Sequence, residues 1–546
     1  MTTIEQTGID QAARPVVFGD GTAGSFFAAV ADWATSTDHK KIGRLYAGFG
    51  LLGLVGIAVI GALLGLERTD DAANVIDGGA LLQLFQLHRF GLVFLVAVPL
   101  TLGLAIAVVP MQVGARSLAF ARLALTGFYL WLGGAVLTVV SLGLNGGFNG
   151  GNVQMIDLYL AAHGLAILGI LASAGSVATT VLTSRAPGMS LRRVPFFTWS
   201  ALVQAIGLIV ALPVMFGAVI FMFVDHRNAQ IAFGGGVELG NWVAPFLSQP
   251  MTYIYALPAL GLLAEMLPVA FGKRHPLRQV VFAGVALVGI AALAGVTRQA
   301  TFPVDFGGAS ADIVPDLVVL AFFLGLPLLG AVITLLIGAM VAKPGPEKIR
   351  PRITSPLLFS FFGAGMVIVG MAGTVLNAIV DLDLAGTVLE EGATVYVTYG
   401  AALAMLGGLV FWSPKLWGPQ VAEKKVLPLA LLGVLATILA SLPHYIAGFT
   451  GQTAAAGIYD GDGSSTVLNG LVLVGHALMA LTVLGVVGAI ASSRGDDDPG
   501  LNPWCAHTLE WSLPSPAPAH NWTAVATVRS AEPELDQTPS TEGSPS

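Results

Sequence analysis

The 546-residue chain is 55% hydrophobic and only 10% charged, a balance foreign to soluble globular domains and usual for chains that live in a bilayer. Its net charge of −7 is spread over loops and tails with no basic stripe, which sets nucleic-acid partners aside. A single cysteine, Cys505, excludes an internal disulfide and any cysteine-ligated metal cluster, so a metal site would have to use histidine, carboxylate or an added cofactor.

Met1 to Gly24 is polar and mixed, without the basic stretch, apolar run and small-residue cleavage site of a signal peptide, and no cleavable leader is expected. Residues 25–41, with Phe26, Phe27 and Trp33 ahead of Thr37-Asp38-His39-Lys40-Lys41, read as a short interfacial helix anchored by aromatics at headgroup level. Twelve apolar runs long enough to cross the hydrocarbon core then follow, near 44–66, 84–112, 122–143, 157–182, 198–224, 243–271, 279–297, 314–342, 356–380, 393–412, 427–448 and 467–491. The chain has 68 glycines, and many are spread through these runs, where small residues let helices approach closely. The expected organisation is a tail and interfacial helix at 1–43, a membrane domain at 44–491, and a polar segment at 492–546. From about 523, rich in Ser, Thr, Glu and Pro, that segment is expected to be disordered.

An even number of spans puts both ends on one side, and the basic residues agree. Lys40, Lys41, Arg44, Arg116, Arg122, Arg185, Arg192, Arg193, Lys273, Arg274, Arg278, Lys343, Lys348, Arg350, Arg352, Lys415, Lys424, Lys425 and Arg494 all fall on the side of the termini. The opposite loops offer only Arg68, Arg227 and Arg298, and collect the acids Asp70, Asp71, Asp381, Asp383, Glu390, Glu391, Asp460 and Asp462. The positive-inside rule therefore predicts a multi-pass protein of a bacterial-type plasma membrane with both termini cytoplasmic.

Several stretches, in order along these spans, carry a family resemblance. They are Thr37-Asp38-His39-Lys40-Lys41-Ile42-Gly43, then Leu84-Phe85-Gln86-Leu87-His88, then Val109-Pro110-Met111-Gln112-Val113-Gly114-Ala115 and Ala119-Phe120-Ala121-Arg122-Leu123. Further on come Arg185-Ala186-Pro187-Gly188-Met189, Pro195-Phe196, Trp199-Ser200, Leu212-Pro213, Trp412-Ser413-Pro414-Lys415, Asn502-Pro503-Trp504 and Thr508-Leu509-Glu510-Trp511, with Pro516, Pro518 and Asn521 after them. From about Trp33 to Trp522 the chain resembles subunit I of cytochrome c oxidase, the large subunit of the heme-copper oxidases. The resemblance implies an all-α integral membrane fold, a bundle of twelve transmembrane helices.

The resemblance also implies six histidines, because that family binds a low-spin heme with two, a high-spin heme with one and a copper ion with three. Here the first low-spin ligand is His88, followed by Arg89 where the family has a small residue. The copper-binding histidine of the sixth span falls on Gln249, while Tyr253, the tyrosine four residues on, is retained. The paired histidines after the seventh span fall on Thr297 and Arg298, and the family's His-Phe-His of the tenth span on Gly392-Ala393-Thr394. No histidine occurs anywhere from Asp381 to Trp412, so that last loss does not depend on register. The arginine that touches the heme formyl group falls on Gly65, the loop acid of one proton channel on Ser117, and the propionate-holding arginines on Ala454 and Ala455. Copper is therefore not expected, and His88 leaves room for one heme at most.

For the remaining polar residues a functional reading stands beside a structural one. His163 and His444 read as structural hydrogen-bonders, and His476, deep in the last span with no carboxylate nearby in sequence, as a packing residue. Gln249 and Tyr253 share a helix face, where they would bond each other or a lipid or quinone headgroup. His226, Arg227 and Arg298 read as solvated, and the far-side acids either as solvated or as steering a basic partner such as cytochrome c. Two functions follow. The first is a divergent, non-catalytic or structural subunit beside oxidase-type subunits II and III. The second is an active terminal oxidase moving electrons from cytochrome c to oxygen with proton pumping, which requires unfamiliar ligands in place of five histidines; a transporter lacks the intramembrane charges such sites carry.

Overall fold

The computed structural model describes residues 22–69, 76–148, 150–233, 237–306, 310–342, 350–454, 456, 463–493, 499–525 and 527–537. Among them are twelve helices long and apolar enough to span a membrane: His39–Glu67, Gly78–Gln112, Ala121–Gly143, Val153–Thr183, Phe196–Arg227, Gly240–Phe271, Arg278–Thr297, Ile313–Ala342, Ser355–Asn377, Leu389–Phe411, Glu423–Phe449 and Ser465–Ser492. They match the twelve sequence runs in order, and their ends differ for local reasons. The first span starts at His39 because the Asp38 side chain accepts from Lys40 N as an N-cap. The aromatic helix before it is correspondingly shorter than expected, Thr22–Ala34. The tenth starts at Leu389, so that Glu390 and Glu391 lie in its first turn, where the helix dipole favours acids, rather than in the loop.

Three helices form the centre. The second, sixth and tenth spans are 94%, 89% and 100% buried over their most apolar stretch, whereas the eighth is only 28% buried and faces outward. The second also carries a one-turn π segment, Leu92–Ala97, directly after His88 and Arg89, a device that rotates the downstream face relative to the upstream one.

Lipid supplies no hydrophobic force between helices, so they must touch closely to hold. They do so at reciprocal glycines. A Cβ on Gly400 would lie 2.6 Å from Gly363 O and one on Gly363 2.5 Å from Gly400 O, joining the ninth and tenth spans. Gly127 and Gly169 join the third and fourth in the same way, at 2.6 and 2.4 Å. Gly284 and Gly330 join the seventh and eighth, at 2.8 and 2.4 Å.

Both ends of the described chain meet on one face, called here the terminal face. His39 Nε2 and Lys40 Nζ lie 3.1 and 3.2 Å from Asn521 Oδ1, and Asn521 Nδ2 donates to Ala115 O at 2.9 Å. Lys415 Nζ donates to Leu501 O at 2.7 Å and to Leu513 O, and Trp504 Nε1 to Phe411 O. The tail continues in contact well past residue 523, contrary to the expected disorder: Val528 N bonds Pro187 O, Glu532 pairs with Arg278 at 3.2 Å, and Asp536, in the helix Pro533–Gln537, pairs with Arg274. Its acids match basic loop residues, which composition alone does not reveal.

Beneath this tail lies a buried carboxyl pair. Gln112 Nε2 donates to both Glu265 Oε1 and Glu510 Oε1, and Glu510 Oε1 also accepts from Trp412 Nε1 at 3.0 Å and Thr508 Oγ1 at 2.9 Å. Burial lifts the Glu510 carboxyl above its ordinary 4.5, against the hydrogen bonds that favour its charged form. The folded protein thus holds that proton to a higher pH than the unfolded chain does, so the contribution of this group to stability is fully present below about pH 4.5 and is lost as pH rises through the folded value.

Two measurements follow. Gly400→Leu should lower the melting temperature in detergent by the equivalent of about 3 kcal/mol or abolish folding, as overpacking does, while Gly365→Leu, where a Cβ meets nothing within 4 Å, should be tolerated. Glu510→Gln should flatten the decline of melting temperature as pH rises above about 4.5; an unchanged slope would mean that Glu510 is ionised throughout.

Candidate functional site

The site that the resemblance implies lies between the three central helices, toward the face opposite the termini. Gln249, at the start of the sixth span's inner helix, is 4% exposed, and its Oε1 accepts from Tyr253 OH at 2.9 Å. The two therefore bond each other, as their shared face suggests, which leaves Gln249 Nε2 buried without a partner. Thr297 returns its hydroxyl to Leu293 O at 2.9 Å, and Arg298 stacks its guanidinium 4.1 Å above the Trp242 ring; both are exposed and point to no common centre with Gln249. Arg298 is thus packed on an aromatic face rather than simply solvated.

In the tenth span the space beside Gly392 is closed. A Cβ on Gly392 would lie 2.8 Å from both His444 Cβ and Ser441 O, so the eleventh span occupies the space a side chain would need. Thr394 bonds Glu390 O at 3.0 Å. On the first span a Cβ on Gly65 would lie 2.9 Å from Leu473 N, and one on Gly61 2.6 Å from the His476 ring, so the twelfth span has closed there too.

His88 is drawn into a cluster that spacing does not show. Its ring stands edge-on to that of His476, centroids 5.5 Å apart, and His476 Nδ1 is hydrogen-bonded to Tyr399 OH at 2.7 Å. His476 is therefore more than packing. His88 Nε2 and both ring nitrogens of His444 are buried with no partner, so His444 is not the hydrogen-bonder expected. Beside the cluster Arg68 makes a two-pronged pair with Glu391, Nη1 to Oε2 at 2.9 Å and Nη2 to Oε1 at 3.0 Å, and donates from Nε to Ala456 O at 3.0 Å. Arg89 pairs with Glu390 at 3.0 Å.

Two clefts open on this region. One of 190 Å³ is bordered by His88, Arg89, Glu391, Thr394 and Ala454. The other, of 550 Å³, runs from Gln249 to the far-face loops, with Asn377, Phe302, Asp383 and the Arg89–Glu390 pair on its walls.

These residues do not fit the family's metals. Iron and copper there need imidazole donors, and the five positions carry amide, hydroxyl, guanidinium or no side chain. Among the described residues no group of three or more His, Cys, Asp or Glu is placed to hold a metal ion. Of the histidines with an unpartnered ring nitrogen, His88 is the one that borders the smaller cleft, which Thr394 also borders.

The other polar residues are engaged. His163 bonds Tyr159 O at 2.9 Å, the structural role expected. His226 and Arg227, expected to be solvated, share Asp157 at 2.7 and 2.9 Å. Of the acids considered for steering a basic partner, Glu391 is paired with the buried Arg68, Glu390 with the exposed Arg89, and Asp381 accepts from Phe306 N, while Asp460 and Asp462 lie outside the described residues, as does Ala455. Ser117 bonds only Leu118 O at the terminal face.

A twelve-span bundle with its most buried helices around a central far-face site is the architecture of the large subunits of terminal oxidases. The chain matches the family model described as Cytochrome C and Quinol oxidase polypeptide I over residues 41–487, and it belongs to that family. It is 28% identical over 552 residues to the "Probable cytochrome c oxidase subunit 1-beta" of Nocardia farcinica, covering 96% of this chain and 90% of that one. It is 26% identical over 532 residues to the "Cytochrome c oxidase subunit 1" of Corynebacterium glutamicum, covering 92% and 88%. Its fold is also similar to a chain in the cryo-EM structure of a heme-copper terminal oxidase dimer, with a TM-score of 0.61 at 14% identity over 84% of each chain.

Arg68, with its side chain 2% exposed, depends on its carboxylate. Glu391→Ala should cost about 3–5 kcal/mol, the usual effect of breaking a buried pair, and Arg68→Met with Glu391→Leu should recover most of it; thermal melts of the single and double variants test both.

Proposed function

We propose that this chain is a divergent, non-catalytic member of its family: a structural or assembly subunit of a respiratory complex in a bacterial plasma membrane, with both termini cytoplasmic. The observation that carries this reading is the tenth span, where Gly392 and Thr394 stand at two heme-ligand positions and the eleventh span fills the space beside Gly392. Loss of the imidazoles at Gln249, Thr297 and Arg298 removes the copper donors as well, and without facing metals no path remains for reducing oxygen. The expected cofactor content is no copper and no heme pair. Partners are subunits of the oxidase II and III type, consistent with the relatives' names and with the twelve-span scaffold kept intact. The orientation rests on the bias of Lys and Arg toward the terminal face.

One observation favours a second reading. The free, buried His88 Nε2 would supply one axial bond to a single heme, which would then act, if at all, in electron transfer rather than oxygen chemistry. An optical spectrum and metal analysis of the complex purified through this chain separate the readings. A colourless protein carrying oxidase-type subunits is expected. A reduced-minus-oxidised heme signal that disappears in His88→Ala supports the second reading, and two hemes and a copper per chain with oxygen uptake overturn the first.

A further inference from the structure

We infer that the 550 Å³ cleft is a binding site for a neutral small organic molecule carrying a carbonyl group with an adjacent N–H, a carboxamide, entering from the far face; the inference rests on the reading that no metal centre occupies this region. The volume lies in the ~300–1,000 Å³ range of small-molecule clefts.

The inner end carries the polar information. Gln249 is 4% exposed, and its amide orientation is fixed because Oε1 accepts from Tyr253 OH at 2.9 Å, so Nε2 is the atom left over. A buried donor without a partner costs about 1–3 kcal/mol, which a ligand oxygen would recover. Asn377, at the end of the ninth span, borders the same cleft with its Oδ1 also buried and unpartnered, and it calls for a donor. One free donor and one free acceptor in a single cleft match a group that offers the reverse pair.

Charge and shape narrow the class further. Arg89 and Glu390 line the cleft but already neutralise each other at 3.0 Å, and the other charged group on its wall, Asp383, is exposed at the mouth in water. Phe302, Ala378, Leu384 and Ala393 supply apolar wall for the body of the molecule. The mouth is made by loop residues, among them exposed Thr301, Asp383 and Ala385, which gives entry from water.

The test uses the full-length chain in its detergent-extracted complex and ¹⁹F NMR of three probes: 4-fluorobenzamide, its N,N-dimethyl derivative and 4-fluorobenzoate. Saturable broadening by 4-fluorobenzamide is expected, with affinity about tenfold weaker for each of the other two, the effect of one hydrogen bond left unmade or one charge added. Gln249→Leu should weaken benzamide binding about tenfold, and Ala385→Trp, an exposed change at the mouth, should abolish it without touching the core. Equal binding of all three probes, binding indifferent to Ala385→Trp, or no saturable binding in a preparation free of heme absorbance would each overturn the proposal, leaving water as the occupant. A heme spectrum in the same sample would instead overturn the reading on which it rests.

Discussion

Helices in lipid gain nothing by burying apolar surface against one another, so the bundle depends on how closely their backbones approach. The reciprocal glycine contacts at Gly363–Gly400, Gly127–Gly169 and Gly284–Gly330 are points of such close approach, and each joins two spans adjacent in sequence. The scaffold thus contains sequential hairpins held by glycine seams, with the second, sixth and tenth helices the most buried. None of those seams involves a histidine. This explains how the metal-binding residues can be replaced without loss of the fold: the groups that hold the helices and the groups that hold metals in the family are different residues.

At the far face, protein groups pack closely around several of the positions that the family resemblance assigns to cofactor contacts. Gly61 makes room for the His476 ring, Gly392 receives the eleventh span, and the Glu391 carboxylate meets Arg68 in the two-pronged geometry that guanidinium groups favour. The smaller cleft is what remains beside His88, and the larger one remains beside Gln249, where no side chain has grown in.

The number and order of spans were legible because crossing a bilayer requires about 20 apolar residues, and this chain has twelve such runs separated by charge. The ligand positions that the resemblance assigns to Gln249, Thr297, Arg298, Gly392 and Thr394 are a reading of residue identity within ordered motifs. Pairings across the bundle were not legible. Arg68 and Glu391 are 323 residues apart, and both looked like ordinary loop charges; His88 and His476 meet only because the first, second and twelfth helices pack together. The tail misled for a different reason. Its Ser, Thr, Glu and Pro content resembles a disordered segment, yet Glu532 and Asp536 face Arg278 and Arg274, and complementarity of that kind depends on where the loops lie in space.

The segment lying across the terminal face ties together groups from separate parts of the bundle: Gln112, Trp412 and Lys415 all find partners in residues 501–513. It works as a clasp on the polar layer beneath it. A chain in which that segment is displaced would keep every membrane helix and yet expose polar sockets on this side of the bundle.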